Sequence, residues 1–335
     1  MNIQETSLWT WLLFNSGLPP QRAKLLLTQV NKQKITLAEV LQNVTAYVKT
    51  LGLAPDEITR LKTPPPSPAP VAAVRWNESH YPSGLQNLPL KLRPALLFYA
   101  GDPSLLLRPI VYIATTPLQP QTQEIMQEVI GSLLGEEVLL AVLQDSPQAE
   151  ILFEEMRNGA GEAMLIVRQG FEHTEHSQEV KTWLESNRLL ALTPLPPHTP
   201  ANPAWNTVLE QVAFAAAWRC VAAELTSEVA ASTTPTALLT PTTEAKYPPH
   251  IQVLDDPGEI ALWLTDIPAS TATATVRNDL LVARDGPSNV SGELPPALTE
   301  LPVAPPEPPR SPADILQTLE AGGKVPEALK KRLLG

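Results

Sequence analysis

A chain of 335 residues is long enough for one sizeable domain with smaller attachments. Its 24 Lys+Arg against 35 Asp+Glu give a formal net charge of −11, which repels a polyanion at long range and leaves nucleic-acid binding to a local basic patch. The single cysteine, Cys220, excludes an intrachain disulfide and a cysteine-based zinc cluster, and 37 prolines, above the ordinary share of about 5%, mark extended linkers.

The opening MNIQETSLWTWLLF has neither the basic n-region nor the small-residue cleavage site of a signal peptide. The apolar run 213–217 is soon broken by Arg219 and Glu224, far short of a membrane span. A soluble cytoplasmic protein with no membrane partner is expected. Residues 6 to 61 read as a small all-helical unit, with Leu8, Trp11, Leu12, Leu25, Leu26, Leu27 and Val30 near helical spacing. Leu18-Pro19-Pro20 breaks it, and proline favours the first turn of the next helix. Thr36 with Glu39 three residues on predicts a capping box. KTPPPSPAP, within a spacer over 62–73, reads as an extended linker.

From Val74 to about Thr226, short apolar runs alternate with helical patterns, as a mostly parallel sheet requires. Strands are predicted at 95–99, 109–114, 137–143, 163–167, 189–192 and 220–223, and helices at 121–134, 148–158, 177–186 and 207–218. Ile125, Val129, Ile130 and Leu133 share one face of the first of these helices. The Ser/Thr/Pro-rich stretch Ser232 to Thr243 reads as a loop, part of a flexible insert at about 232–246. Residues 251–254 and 257–264 read as a last strand and a docking helix, closing a domain over 74–267. A low-complexity linker is expected over 268–311, and two short helices over 312–335.

The block Trp76 to Thr116, WNESHYPSGLQNLPLKLRPALLFYAGDPSLLLRPIVYIATT, carries a Tyr81-Pro82 turn, a strand LLFY, a Gly101-Asp102 turn and a Leu run. Strand IVYIA follows and opens onto two threonines. In order and spacing this resembles the DNA-processing protein A (DprA/Smf) family. The resemblance extends over roughly residues 6–61 and 74–264. It implies an α/β, Rossmann-like, mostly parallel sheet behind a small N-terminal all-helical (helix-hairpin-helix or SAM-like) domain, with a Pro-rich C-terminal extension. It also implies single-stranded DNA and a recombinase as partners in DNA uptake or recombination, and self-association as a homodimer.

The charged tips of the family's motifs are missing. A Gly-Ser-Arg turn becomes Ala114-Thr115-Thr116, and a Pro-x-Arg-Asn-Arg helix start keeps Asn206 but has Trp205 and Thr207 for the arginines. A Gly-Leu-Ala-Arg-Gly segment becomes Gln144-Asp145-Ser146-Pro147. The helical hairpin has Leu-Pro-Pro where a glycine-rich turn would offer N–H groups to phosphate, so packing or protein contact is expected there. The DNA site is therefore expected to be weakened.

Thr115 and Thr116 are candidate phosphate ligands at a helix N-terminus, or its caps. Asn206 could organise its loop or cap its helix, and Trp205 could stack on a base or pack. Arg75, Lys91, Arg93 and Arg108 could form a phosphate-contacting strip, or be solvated surface charge. His173 and His176, in H-x-x-H spacing, are read as a polar loop rather than a metal site. With no Walker loop, GxGxxG, G-x-S-x-G elbow or enforced carboxylate pair, the chain is expected to be no enzyme, with no catalytic residues, metal or cofactor. A nucleotide-binding enzyme of the lysine-decarboxylase-like group would need a Gly-rich phosphate motif that is absent. The alternative is a protein-interaction scaffold that has lost DNA binding.

Overall fold

The computed structural model describes residues 3–62, 72–240 and 247–267. Residues 63–71 of the linker expected over 62–73, whose ends Lys62 and Ala73 belong to a helix and a strand, lie outside the described residues, as do the linker expected over 268–311, residues 241–246 of the insert and the expected helices over 312–335.

Five helices open the chain: α1 (Ile3–Phe14), α2 (Pro20–Lys32), α3 (Leu37–Gln42), α4 (Val44–Leu51) and α5 (Pro55–Lys62). The expected capping box forms: Thr36 Oγ1 accepts from Glu39 N at 3.2 Å, and the Glu39 carboxylate accepts from Thr36 N at 2.7 Å. A second acid reinforces that helix start. The buried Glu5 carboxylate accepts from Leu37 N at 2.8 Å and from Trp9 Nε1 at 3.2 Å, placing negative charge at the positive end of α3. Arg22 clamps α2 to α5, donating to both oxygens of Glu57 at 2.6 and 2.8 Å.

The helices join the sheet directly. Lys24 Nζ donates to the carbonyls of Leu90, Lys91 and Arg93 at 3.2, 3.1 and 2.7 Å. Trp9 meets Trp76 edge-on at 5.8 Å, and one apolar cluster runs from Leu8 through Phe98 to Leu238.

The sheet has nine strands: β1 (Ala73–Arg75), β2 (Leu96–Ala100), β3 (Ile110–Ile113), β4 (Leu139–Leu143), β5 (Ala163–Ile166), β6 (Leu189–Thr193), β7 (Arg219–Ala222), β8 (Thr236–Leu238) and β9 (Ile251–Val253). Their order is β1-β2-β6-β5-β4-β3-β7-β8-β9. β1 and β2 run antiparallel to their neighbours, and β3 to β9 are parallel. This is the Rossmann-like, mostly parallel sheet with a helical N-terminal region. Gly101 turns out of β2 at φ +97°, and a Cβ there would fall 2.4 Å from the Leu189 carbonyl oxygen.

Between strands run α6 (Pro120–Leu133), α7 (Pro147–Asn158), α8 (Gln178–Glu185), α9 (Asn206–Ala216), α10 (Ser227–Ala231) and α11 (Pro257–Thr265). α6, α7, α8 and α11 cover one sheet face; α9, α10 and the N-terminal helices cover the other. On α6 the expected Val129, Ile130 and Leu133 are fully buried together with Met126, and Ile125 lies at the margin. The stretch read as a loop at 232–243 contains β8. Thr236, Ala237 and Leu238 are buried between β7 and β9, where strand pairing imposes extended backbone on three residues with no period of their own.

Candidate functional site

The chain moves from β3 to β6 in one direction along the sheet, then returns through α9 to place β7 on β3's other side. The strand order reverses between β3 and β7, and open α/β sheets bind ligands beyond the C-terminal strand ends at such a point. Thr116 occupies it. The side chain is 2% exposed, its hydroxyl accepts from Ala223 N at 3.1 Å, and its carbonyl accepts from Gln148 Nε2 at 2.6 Å. The hydroxyl thus latches the β3 loop to the end of β7. It does not cap α6, whose start is stabilised instead by the Thr122 hydroxyl accepting from Gln119 N at 3.0 Å. Thr115 is half-buried, with its Oγ1 enclosed against the Tyr112 side chain.

The basic candidates do not converge on this point. Arg108 precedes β3 and so lies at the opposite, N-terminal edge. Its guanidinium donates to the carbonyls of Glu136, Glu137 and Val138 and pairs with Glu162 at 2.8 Å, stapling the starts of β4 and β5. Lys91 and Arg93 precede β2, whose antiparallel sense puts its start at the C-terminal edge. That start is four strands from β3, roughly 19 Å at the usual inter-strand spacing. Arg93 donates to the Leu88 carbonyl at 3.3 and 3.0 Å, and Lys91 is exposed. Asn206 begins α9 in helical conformation, while the cap of the preceding turn is Asn202, which accepts from Ala204 N at 2.9 Å. Trp205 beside it is 36% exposed.

Sequence reasoning passed over a basic residue at this edge. Arg168 follows β5 by two residues, and among the described strands it is the one basic residue that close to a C-terminal strand end of the parallel array. Its backbone N donates to Gln144 Oε1 at 3.3 Å across the β4 end, while its Nε is enclosed without a partner. Glu210, one turn into α9, lies within electrostatic reach of it. Burial and the Glu228 charge push this carboxyl up to about 7, against the pull of Arg168. Tyr112 on β3 feels the same Glu210 charge and is held neutral by burial, its hydroxyl lying against Thr115. A lone arginine directly after the apolar run AMLIV was the available signal.

The loop beyond Arg168 is held by main-chain contacts. Gly170 N donates to the Thr199 carbonyl at 2.8 Å, and a Cβ at Gly170 would lie 2.1 Å from the Pro197 oxygen and 2.2 Å from that of Pro196. Gly170→Ala is therefore expected to lower stability by about 2 kcal/mol, read as a reduced denaturation midpoint; an unchanged midpoint would show that the two loops yield freely. In the same loop the His173 ring nitrogen lies 3.0 Å from the His198 carbonyl, and His198 pairs with Glu172. Burial and Lys181 lower the His176 pKa. No group of three His, Cys, Asp or Glu among the described residues could hold a metal ion. Nor is any described helix long and apolar enough to cross a membrane.

These features define an α/β protein with a doubly wound sheet, an appended helical bundle and a polar cluster at the switch edge. The fold is that of DNA processing protein A. The *Streptococcus pneumoniae* protein matches with a TM-score of 0.50 at 14% identity, over 70% of this chain and 86% of that one. A *Helicobacter pylori* DNA processing protein A, described for its single-stranded DNA binding mode, matches with a TM-score of 0.46 at 14% identity, over 58% and 94% respectively. Neither a protein-family model nor a curated protein matches the chain.

Proposed function

We propose that this chain is a divergent, non-catalytic DprA/Smf-type protein. In this reading it binds single-stranded DNA at the C-terminal edge of its sheet, acts in the cytoplasm and hands the strand to a recombinase during DNA uptake or recombination. The observation that carries the reading is Arg168 two residues beyond β5, a basic residue at that edge on a sheet of this fold. Arg168 supplies the phosphate contact and Thr115 supports it. Lys91, Arg93 and Asn206 belong to the strand's path only if it runs along the edge toward β2. A homodimer would present two such edges to one strand.

Fluorescence anisotropy with a labelled oligo(dT) at low and at physiological salt tests this reading. Binding is expected to be salt-sensitive, as phosphate contacts release counterions, and to weaken at least about tenfold in Arg168→Ala. A scaffold without DNA binding is favoured by a different observation: Arg93 and Arg108 both spend their guanidinium groups on main-chain carbonyls. Absence of binding even at low salt would establish that second reading.

A further inference from the structure

Of the seven tryptophans, Trp205 alone is exposed. Its indole makes no hydrogen bond or ring contact among the described residues and belongs to neither apolar cluster. The backbone beneath it is fixed nonetheless. Asn202 Oδ1 accepts from Ala204 N at 2.9 Å, the Asn202 carbonyl accepts from Trp205 N at 2.9 Å, and Pro203 locks the turn between them. That turn belongs to the same edge as Arg168. β5 and β6 are adjacent parallel strands; Arg168 follows the first by two residues, and the loop to Trp205 leaves the second. The two loops then bond to each other, Gly170 N to the Thr199 carbonyl at 2.8 Å and Glu172 N to the Pro197 carbonyl at 3.1 Å. Val208, one helical turn beyond Trp205, is the neighbouring exposed apolar side chain. An indole and one valine match the size of a single base and fall far short of the roughly 800 Å² per partner that a stable protein interface needs.

We propose that Trp205 is a stacking platform for one base of the single strand whose backbone Arg168 contacts. The inference rests on the DNA-binding reading above and names the part of the ligand that is recognised, the face of an unpaired base. Every base has such a face, so the contact tolerates any sequence. In a duplex the face is covered by its stacked neighbours, so the contact selects single strands. Stacking needs no net charge on the protein. It is therefore indifferent to Glu172 on the Arg168 loop, to Glu210 on α9 and to the net charge of −11, all of which oppose a phosphate. The turn is already ordered before binding, so little conformational freedom is lost when a base arrives.

The test is anisotropy of the full chain at low salt with two labelled ligands of equal length and charge, oligo(dT) and an oligomer of abasic deoxyribose phosphate. The unmutated protein is expected to prefer oligo(dT) by at least about tenfold, within the range for one base stacked on an aromatic side chain. Trp205→Ala is expected to weaken oligo(dT) about tenfold and to leave the abasic ligand within about twofold, with the salt dependence unchanged because no phosphate contact is lost. Trp205→Phe keeps an aromatic face and should retain most of the preference. Damage to the loop or the fold would weaken both ligands alike, so an equal loss overturns the platform. A Trp205→Ala protein that prefers oligo(dT) as strongly as the wild type overturns it too, placing any base contact elsewhere. In both cases the DNA-binding reading stands or falls separately, on Arg168→Ala. If the unmutated protein fails to bind oligo(dT) at low salt, that reading falls and the platform with it.

Discussion

Trp9→Ala is expected to destabilise the protein by about 4 kcal/mol, near the upper range for truncating a buried aromatic. Trp9 is 1% exposed and lies where the N-terminal helices meet the sheet. Its ring meets Trp76 edge-on at 5.8 Å, and the Arg75 guanidinium sits 5.7 Å from its centroid. Its Nε1 also donates to the Glu5 carboxylate that caps α3, so truncation removes one of the hydrogen bonds that offset the burial of that acid. Because helices and sheet share one apolar cluster, chemical denaturation should show a single transition at a lower midpoint. Separate transitions, with that of the sheet unmoved, would mean that the helical bundle and the sheet fold independently despite their common core.

Thr116→Val is expected to cost about 2 kcal/mol, the penalty for leaving a buried backbone N–H unmet at nearly constant volume. The donor left without its partner is Ala223 N, at the point where the strand order reverses. Thr116→Ser keeps the hydroxyl and should recover most of the loss. Oligonucleotide affinity at low salt should stay within about twofold of wild type in both variants, since the hydroxyl is committed to the fold. If Thr116→Val instead kept its stability and lost its affinity, the hydroxyl would be a phosphate ligand and the latch only incidental.

Much of the architecture was legible because it rests on local chemistry. The runs LLFY, IVYI and LLAVL are apolar without alternation, as strands buried on both faces must be, and each forms a strand. Thr36 with Glu39 makes its capping box from side chains three residues apart, a reach that depends on nothing beyond the helix. β8 was illegible for the opposite reason: Thr-Ala-Leu between prolines and threonines is extended only because β7 and β9 flank it. α10 is likewise too short to show a period.

The candidate site divided along the same line. Sequence resemblance directed attention to Thr115 and Thr116, which stand where the family has its Gly-Ser-Arg turn, and to basic residues lying near the matched block. The fold gave Thr116 a partner 107 residues away and sent Arg108 to the far edge of the sheet. It also brought Arg168 and Glu210, which lie in different crossovers, within electrostatic reach of each other. By itself the sequence determined the alternation of strand and helix, the capped helical opening and the acidic balance that weakens long-range attraction to DNA, since these depend on residue type and near neighbours. Which polar groups are spent on the fold and which are left for a ligand was decided only by tertiary structure, because a hydrogen bond is settled by distance and solvent exclusion between groups that the chain order keeps apart.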